Sequence, residues 1–164
     1  MWIAAGSSIL GVNLSTGQPE ISRDIRMKAT RVCASGSGSS VLVGGPGGAL
    51  RLHCSTGQIS RLFDRPASAV FEDIQGNIWI GMERGLLRLS SEDSIVRTTG
   101  FRHEQSDPSS LSDDVITTIM QDAEGNMWIG TFAGLHYLDY FSPNFLPCGR
   151  AFRYDPRRLH SLLQ

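Results

Sequence analysis

Asp73-Ile74-Gln75-Gly76-Asn77-Ile78-Trp79-Ile80-Gly81 recurs 49 positions later as Asp122-Ala123-Glu124-Gly125-Asn126-Met127-Trp128-Ile129-Gly130. The same shift carries Gly85-Leu86 onto Gly134-Leu135 and Leu89 onto Leu138. A weaker copy lies upstream, where Leu42-Val43-Gly44 and Gly48-Ala49-Leu50-Arg51-Leu52 precede Leu87-Arg88-Leu89 by 37 positions. A fourth begins at Trp2-Ile3-Ala4, and a shift of 40 takes Ser15-Thr16-Gly17-Gln18 onto Ser55-Thr56-Gly57-Gln58. A last, partial copy sets Phe152-Arg153 and Ser161-Leu162 against Phe101-Arg102 and Ser110-Leu111, 51 positions earlier. Periods of this length mark propeller blades or helical arrays, and the local pattern decides between them.

That pattern is β. Val115 to Gln121 is rich in β-branched residues and predicts a strand. Ala123-Glu124-Gly125-Asn126 predicts a turn, with Asp122 placed to bond nearby backbone amides. Met127 to Thr131 is a second strand, Phe132-Ala133-Gly134 turns the chain, and Leu135 to Tyr140 is a third. In earlier copies Ser-Thr-Gly-Gln makes the next turn, before a short outer strand such as Ile59 to Phe63. No helical periodicity persists beyond two turns. The predicted fold is all-β: a β-propeller segment of about four four-stranded antiparallel blades, the first lacking its inner strand. The blades are expected at about 1–30, 31–65, 66–107 and 108–154, within a single partial propeller spanning 1–164, with 155–164 starting a further repeat.

Composition agrees. The 164 residues include 18 glycines, and 40% hydrophobic with 19% charged residues describe a globular chain. A net charge of -1, with Lys28 the only lysine, argues against nucleic acid or an anionic lipid surface as a partner. No stretch approaches the roughly 20 apolar residues that span a bilayer, so direct membrane insertion is not expected. Met1-Trp2-Ile3-Ala4-Ala5 lacks the basic start of a signal peptide. Cys33, Cys54 and Cys148 form no C-x-x-C pair and are expected to be buried free thiols. His53 and Cys54, adjacent on a strand, point to opposite faces and cannot share a metal ion. No metal or cofactor is expected.

Ser110-Leu111-Ser112-Asp113-Asp114-Val115, then Ile119-Met120-Gln121-Asp122, Gly125 to Thr131 and Gly134-Leu135, resembles the two-component regulator propeller repeat. The match is strong across 101–140, good across 67–90, and eroded before residue 55. The resemblance implies a ligand-sensing module from the periplasmic sensor region of a hybrid histidine kinase or a diguanylate cyclase. It also implies a seven-bladed ring, an oligosaccharide as the possible ligand, and the rest of a kinase or cyclase chain as partner. At 164 residues such a chain is expected to be a fragment of a longer sensor, a compact four-bladed form being the alternative.

The repeated residues Asp73, Gly76, Asn77, Trp79 and Gly81, with Asp122, Gly125, Asn126, Trp128 and Gly130, are expected to hold the fold. Trp79 and Trp128 could stack on sugars, but one position per blade favours inter-sheet packing. Asp73 and Asp122, each before a Gly-Asn turn, favour turn stabilisation over metal binding or acid catalysis. Specificity then rests with residues that break the repeat. The turn after each second strand and the crossover to the next blade share one face. That face collects Gly45-Pro46-Gly47, Met82-Glu83-Arg84, Thr131-Phe132-Ala133 and Arg102 to Asp107. Glu83, Arg84, Phe132, His103 and Glu104 are the candidate ligand residues, the alternative being solvated loop tips.

Two other function classes compete. Trp2 to Gln18 and Val41 to Gln58 look like quinoprotein dehydrogenase repeats. Asp-x-x-Gly-Asn-x-Trp is similar to the Asp-box of sialidase-type propellers, with one residue more between Asp and Gly. Neither brings a carboxylate pair or an activated nucleophile that the sequence can justify, so no catalysis is expected. An assembly module is the third class, because unpaired blade edges can join a partner or a second copy in a homo-oligomer.

Overall fold

The computed structural model describes residues 1–92, 95–138 and 145–147. Its strands form four antiparallel sheets taken in chain order. The first contains β1 (Trp2–Ala5), β2 (Ser8–Val12) and β3 (Pro19–Asp24). The second contains β4 (Arg31–Ala34), β5 (Ser40–Gly45), β6 (Gly48–His53) and β7 (Ile59–Phe63). The third contains β8 (Ala69–Glu72), β9 (Ile78–Met82), β10 (Gly85–Glu92) and β11 (Ile95–Phe101). The fourth contains β12 (Ile116–Gln121), β13 (Met127–Thr131), β14 (Gly134–Leu138) and β15 (Phe145–Pro147). These are blades of a β-propeller, as the repeat predicts. The first sheet has three strands, and its Ser15-Thr16-Gly17 turn between β2 and β3 answers to Ser55-Thr56-Gly57 between β6 and β7. Its strands are therefore counterparts of the second to fourth strands elsewhere. Cys148 and the 152–164 repeat lie outside the described residues.

Each sheet packs on its successor: β1 against β4, β4 and β5 against β8, and β8 and β9 against β12. Apolar residues fill the junctions. Trp79, Leu86, Leu111, Ile116, Ile119 and Ile129 form one cluster between the third and fourth sheets. Leu42, Ala67, Val70 and Ile80 form another between the second and third. Two details bring the sheets close. A bulge between Ile116 and Thr118 breaks the alternation of β12, so Ile116 and Ile119 are both buried while Thr117 and Thr118 are exposed. Ile116 then lies over Gly81, where a Cβ would stand 2.5 Å from Ile116 Cγ2. Polar ties reinforce the contact: Ser68 Oγ donates to Ile116 O at 2.6 Å, and the Gly85 amide donates to Asp114 O at 2.7 Å. Between the second and third sheets Arg51 pairs with Glu72 at 3.2 Å.

The repeated aspartates do more than close turns. Asp73 Oδ1 accepts from the Gln75 and Asn77 amides, while Oδ2 accepts from Asn77 Nδ2 and from Trp79 Nε1 at 2.8 Å. Asp122 repeats the pattern with the Glu124 and Asn126 amides, Asn126 Nδ2 and Trp128 Nε1, the last again at 2.8 Å. Sequence reading assigned Asp and Trp separate tasks; the structure joins them through one carboxylate. The thiols of Cys33 and Cys54 are free and half-buried, against the expectation of full burial, because both sit at the margins of apolar clusters.

Asp73 and Trp79 are 6% and 2% exposed, whereas Asp122 and Trp128 are half-buried. Asp73→Ala is therefore expected to cost about 2–4 kcal/mol, since it strands the buried Trp79 indole N–H together with the part-buried donors of Gln75 and Asn77. Asp122→Ala should cost less; urea unfolding of both variants checks the order. Desolvation pushes the Asp122 carboxyl up, but hydrogen bonds from Trp128, Asn126 and Glu124 together outweigh it and hold the group below its ordinary value. A carboxyl held low by the fold adds its stability in full above about pH 3.9, the unfolded value. That stability disappears as the pH falls through the lower folded value. Below about pH 4 the thermal midpoint of the wild type should thus fall more steeply than that of Asp122→Asn.

Candidate functional site

The turns after the second strands meet the crossovers between blades. The Ala67 amide donates to Gly45 O, Ser68 to Gly81 O, Gly85 to Asp114 O and Phe132 to Val115 O. At each junction this leaves a cleft walled by the crossover from one blade and by strands of the next. The first cleft, about 410 Å³, is lined by Asp24, Ile25 and Arg26 on one side and Leu50, Ile59 and Arg61 on the other. The second, about 370 Å³, sets Arg65 and Pro66 against Met82, Glu83, Arg84, Leu87, Phe101 and Arg102. The third, about 210 Å³, sets Glu104, Asp107, Ser109 and Ser110 against Phe145. Leu50 and Leu87 are the same repeat position, so the first two clefts are one architectural feature met twice.

The candidate ligand residues do not converge on one cleft. Glu83 and Arg84 line the second cleft, and Glu104 lines the third. His103 is committed to shaping its crossover: its amide donates to Asp114 Oδ1 at 2.7 Å, and Nδ1 donates to Leu111 O at 2.6 Å. Phe132, 78% exposed, lines none of the three clefts. Arg65, Phe101 and Arg102 complete the second cleft and were missed as site residues. Each sits where a fourth strand ends and the crossover begins, the one signal that could have found them.

Glycine shapes that cleft. Gly85, with φ of +106°, opens β10, and a Cβ there would stand 2.5 Å from Phe101 O and 3.0 Å from Arg102 Cγ. The stem of Arg102 therefore lies against bare backbone. In the third cleft, hydrogen bonds from the Ser109 hydroxyl and then its amide hold the Asp107 carboxyl below its ordinary value, keeping it charged.

One arrangement has the look of catalysis. Ser112 Oγ lies 2.7 Å from His136 Nε2, a serine–histidine contact that sequence reading passed over. The Ser112 amide also donates to that same nitrogen at 2.9 Å, which fixes Nε2 as an acceptor. Among the described residues Nδ1 has no partner and so no carboxylate to orient it, the ring is 1% exposed, and burial holds its pKa down. Ser112 Oγ also lies 3.1 Å from Thr131 Oγ1, whose hydroxyl is 2.9 Å from Gly134 O. This is a buried tie between the crossover and β13–β14, without the orienting acid or access that a nucleophile needs. Among the described residues no group of three or more His, Cys, Asp or Glu could hold a metal ion.

Fold and clefts define a class: consecutive propeller blades with loop-lined clefts at their junctions. Residues 110–133 match the family described as the two component regulator propeller, and the unit read from the sequence there is a repeat of that family. No curated protein matches the chain. Among solved structures, the extracellular domain of a putative one-component system from B. thetaiotaomicron superposes with a TM-score of 0.70 at 20% identity, over 86% of this chain and 20% of that one. The extracellular domain of a putative hybrid two-component system from the same organism gives 0.69 at 19%, over 85% and 20%. An auxiliary nutrient binding protein from Bacteroides thetaiotaomicron gives 0.64 at 10%, over 89% and 37%. The chain thus spans about a fifth of the length of the first two, and these likenesses establish the fold.

Gly85→Ala meets both a left-handed backbone and a carbonyl, whereas a Cβ on Gly134, at φ +152°, meets nothing closer than 3.8 Å. Thermal unfolding should show Gly85→Ala to be the more destabilising by about 1–3 kcal/mol.

Proposed function

We propose that this chain is a ligand-sensing segment of the extracytoplasmic sensor region of a two-component system. In this reading it lies in the periplasm, binds an oligosaccharide-type ligand without transforming it, and hands the signal to a kinase or cyclase elsewhere in a longer chain. The observation that carries the reading is the set of clefts at the blade junctions. The blade-forming residues repeat, while the charged residues of the cleft linings differ from cleft to cleft, and a sensor needs that division between constant scaffold and variable surface. The family of the repeat and the fold of the extracellular neighbours support it. A non-catalytic role is supported by the Ser112–His136 contact, whose geometry is spent on structure.

A second reading, an assembly module, is favoured by one surface. Phe71 and Leu86 pack into the cluster between the third and fourth sheets, while their repeat counterparts Met120 and Leu135 are 52% and 41% exposed. Light scattering over a concentration series separates the two: a stable monomer supports the sensor segment, and concentration-dependent association supports assembly.

A binding ligand stabilises the folded chain by mass action, by about 2.7 kcal/mol at a hundred times its Kd. A panel of neutral and acidic oligosaccharides should therefore contain members that raise the thermal midpoint by several degrees. Silence across the whole panel overturns the oligosaccharide reading.

A further inference from the structure

Resting on that sensor reading, we propose that the cleft between the second and third blades takes an acidic saccharide, one bearing a carboxylate or a sulfate. Three guanidinium groups, from Arg65, Arg84 and Arg102, line this cleft against the single carboxylate of Glu83. Among the described residues, Arg84 and Arg102 have no hydrogen-bond or ion-pair partner, in contrast to Arg51, which pairs with Glu72 across the same junction. Arg65 lies over the Phe63 ring, 5.1 Å from its centroid. Guanidinium forks match the planar oxygens of a carboxylate and the oxygens of a sulfate through paired N–H donors.

The rest of the lining suits a sugar ring. Pro66, Met82, Leu87 and Phe101 form an apolar wall beside the cationic rim. A pyranose presents C–H groups on one face and an acidic substituent at its edge, and both find a matching surface. The volume, about 370 Å³, falls within the range of small-molecule sites, about 300–1,000 Å³.

The sister clefts sharpen the assignment. The first carries Asp24 beside Arg26 and Arg61. The third sets Glu104 and Asp107 around Arg102. Only the second, among the three, has a surplus of two positive charges. Arg102 holds its place there because Gly85 offers no side chain: a Cβ at that position would stand 3.0 Å from Arg102 Cγ. The repeat geometry thus supplies three similar grooves, and Arg65, Arg84 and Arg102 make one of them anion-selective.

Titration calorimetry on the full chain tests this with three probes: trigalacturonate, its fully methyl-esterified form, and a sulfated chondroitin disaccharide. The ester keeps the sugar backbone and removes the charge. Binding of trigalacturonate or the sulfated disaccharide, with little binding of the ester, supports the proposal, and the tighter of the two acids identifies the group recognised. Arg84→Gln and Arg102→Gln should each weaken that binding roughly ten- to hundredfold, as loss of a charge-assisted hydrogen bond does. Arg23→Gln, on β3 of the first sheet, should leave it unchanged. Raising the salt should weaken binding of the acid. Arg84 sits at an exposed turn, so its variant keeps the fold, which circular dichroism verifies. Equal binding of the ester, or undiminished binding by both arginine variants, overturns the acidic assignment while leaving the sensor reading intact. No binding by any of the three overturns the acidic assignment, and with silence from the neutral panel it overturns the oligosaccharide reading too.

Discussion

The carboxylate of Asp73 holds one blade together and presents it to the next. Burying a carboxylate is costly unless its oxygens are matched by donors. Here two amide N–H groups, one side-chain amide and one indole N–H converge on it, and it is 6% exposed. Two of those donors shape the turn between β8 and β9. The indole lies on β9, so the same group fixes the orientation of Trp79. That ring stacks on Phe101 at a centroid distance of 5.8 Å, with Arg88 over it at 5.6 Å, and enters the cluster that receives Leu111, Ile116 and Ile119. Turn, hairpin and blade junction thus share a single anion.

The clefts follow from that junction. Blades that pack through Trp79, Leu86 and Ile116 bring each crossover over the strands of the blade that follows. A groove of similar form is left at every step. Its shape belongs to the scaffold and its chemistry to whichever residues line it. In the second groove these are three arginines beside an apolar wall; in the third they are two acids, one of them held charged by Ser109.

Much of this was legible in the sequence. Asp, Gly, Asn and Trp at constant spacing announced the turn and the strand after it, and the Ser-Thr-Gly turns placed the outer strands. Glu83 and Arg84, placed on the loop face because a turn after a second strand must fall there, line the second cleft. The Asp–Trp bond was not found, although a spacing of six between Asp73 and Trp79, and again between Asp122 and Trp128, carried the signal. Residues read one at a time lose a partnership of that kind. The difference between the two copies could not be read either, because burial depends on what packs against a blade and not on the blade itself. Arg102 was placed on the loop face but not singled out, and its meeting with Arg65 is made by sheet packing across a gap in sequence. His103 stands in a polar crossover, where a histidine resembles a ligand group, and its Nδ1 and its amide are bonded within that crossover.

A double-mutant cycle between Asp73→Asn and Trp79→Phe, followed by urea unfolding, measures the central bond directly. Trp79→Phe also loses packing, but the cycle removes that contribution and leaves the coupling between the two side chains. The coupling is expected to be about 1.5–3 kcal/mol, the range for a hydrogen bond to a charged group. Strict additivity of the two substitutions would show that the carboxylate and the indole act independently, and would contradict it.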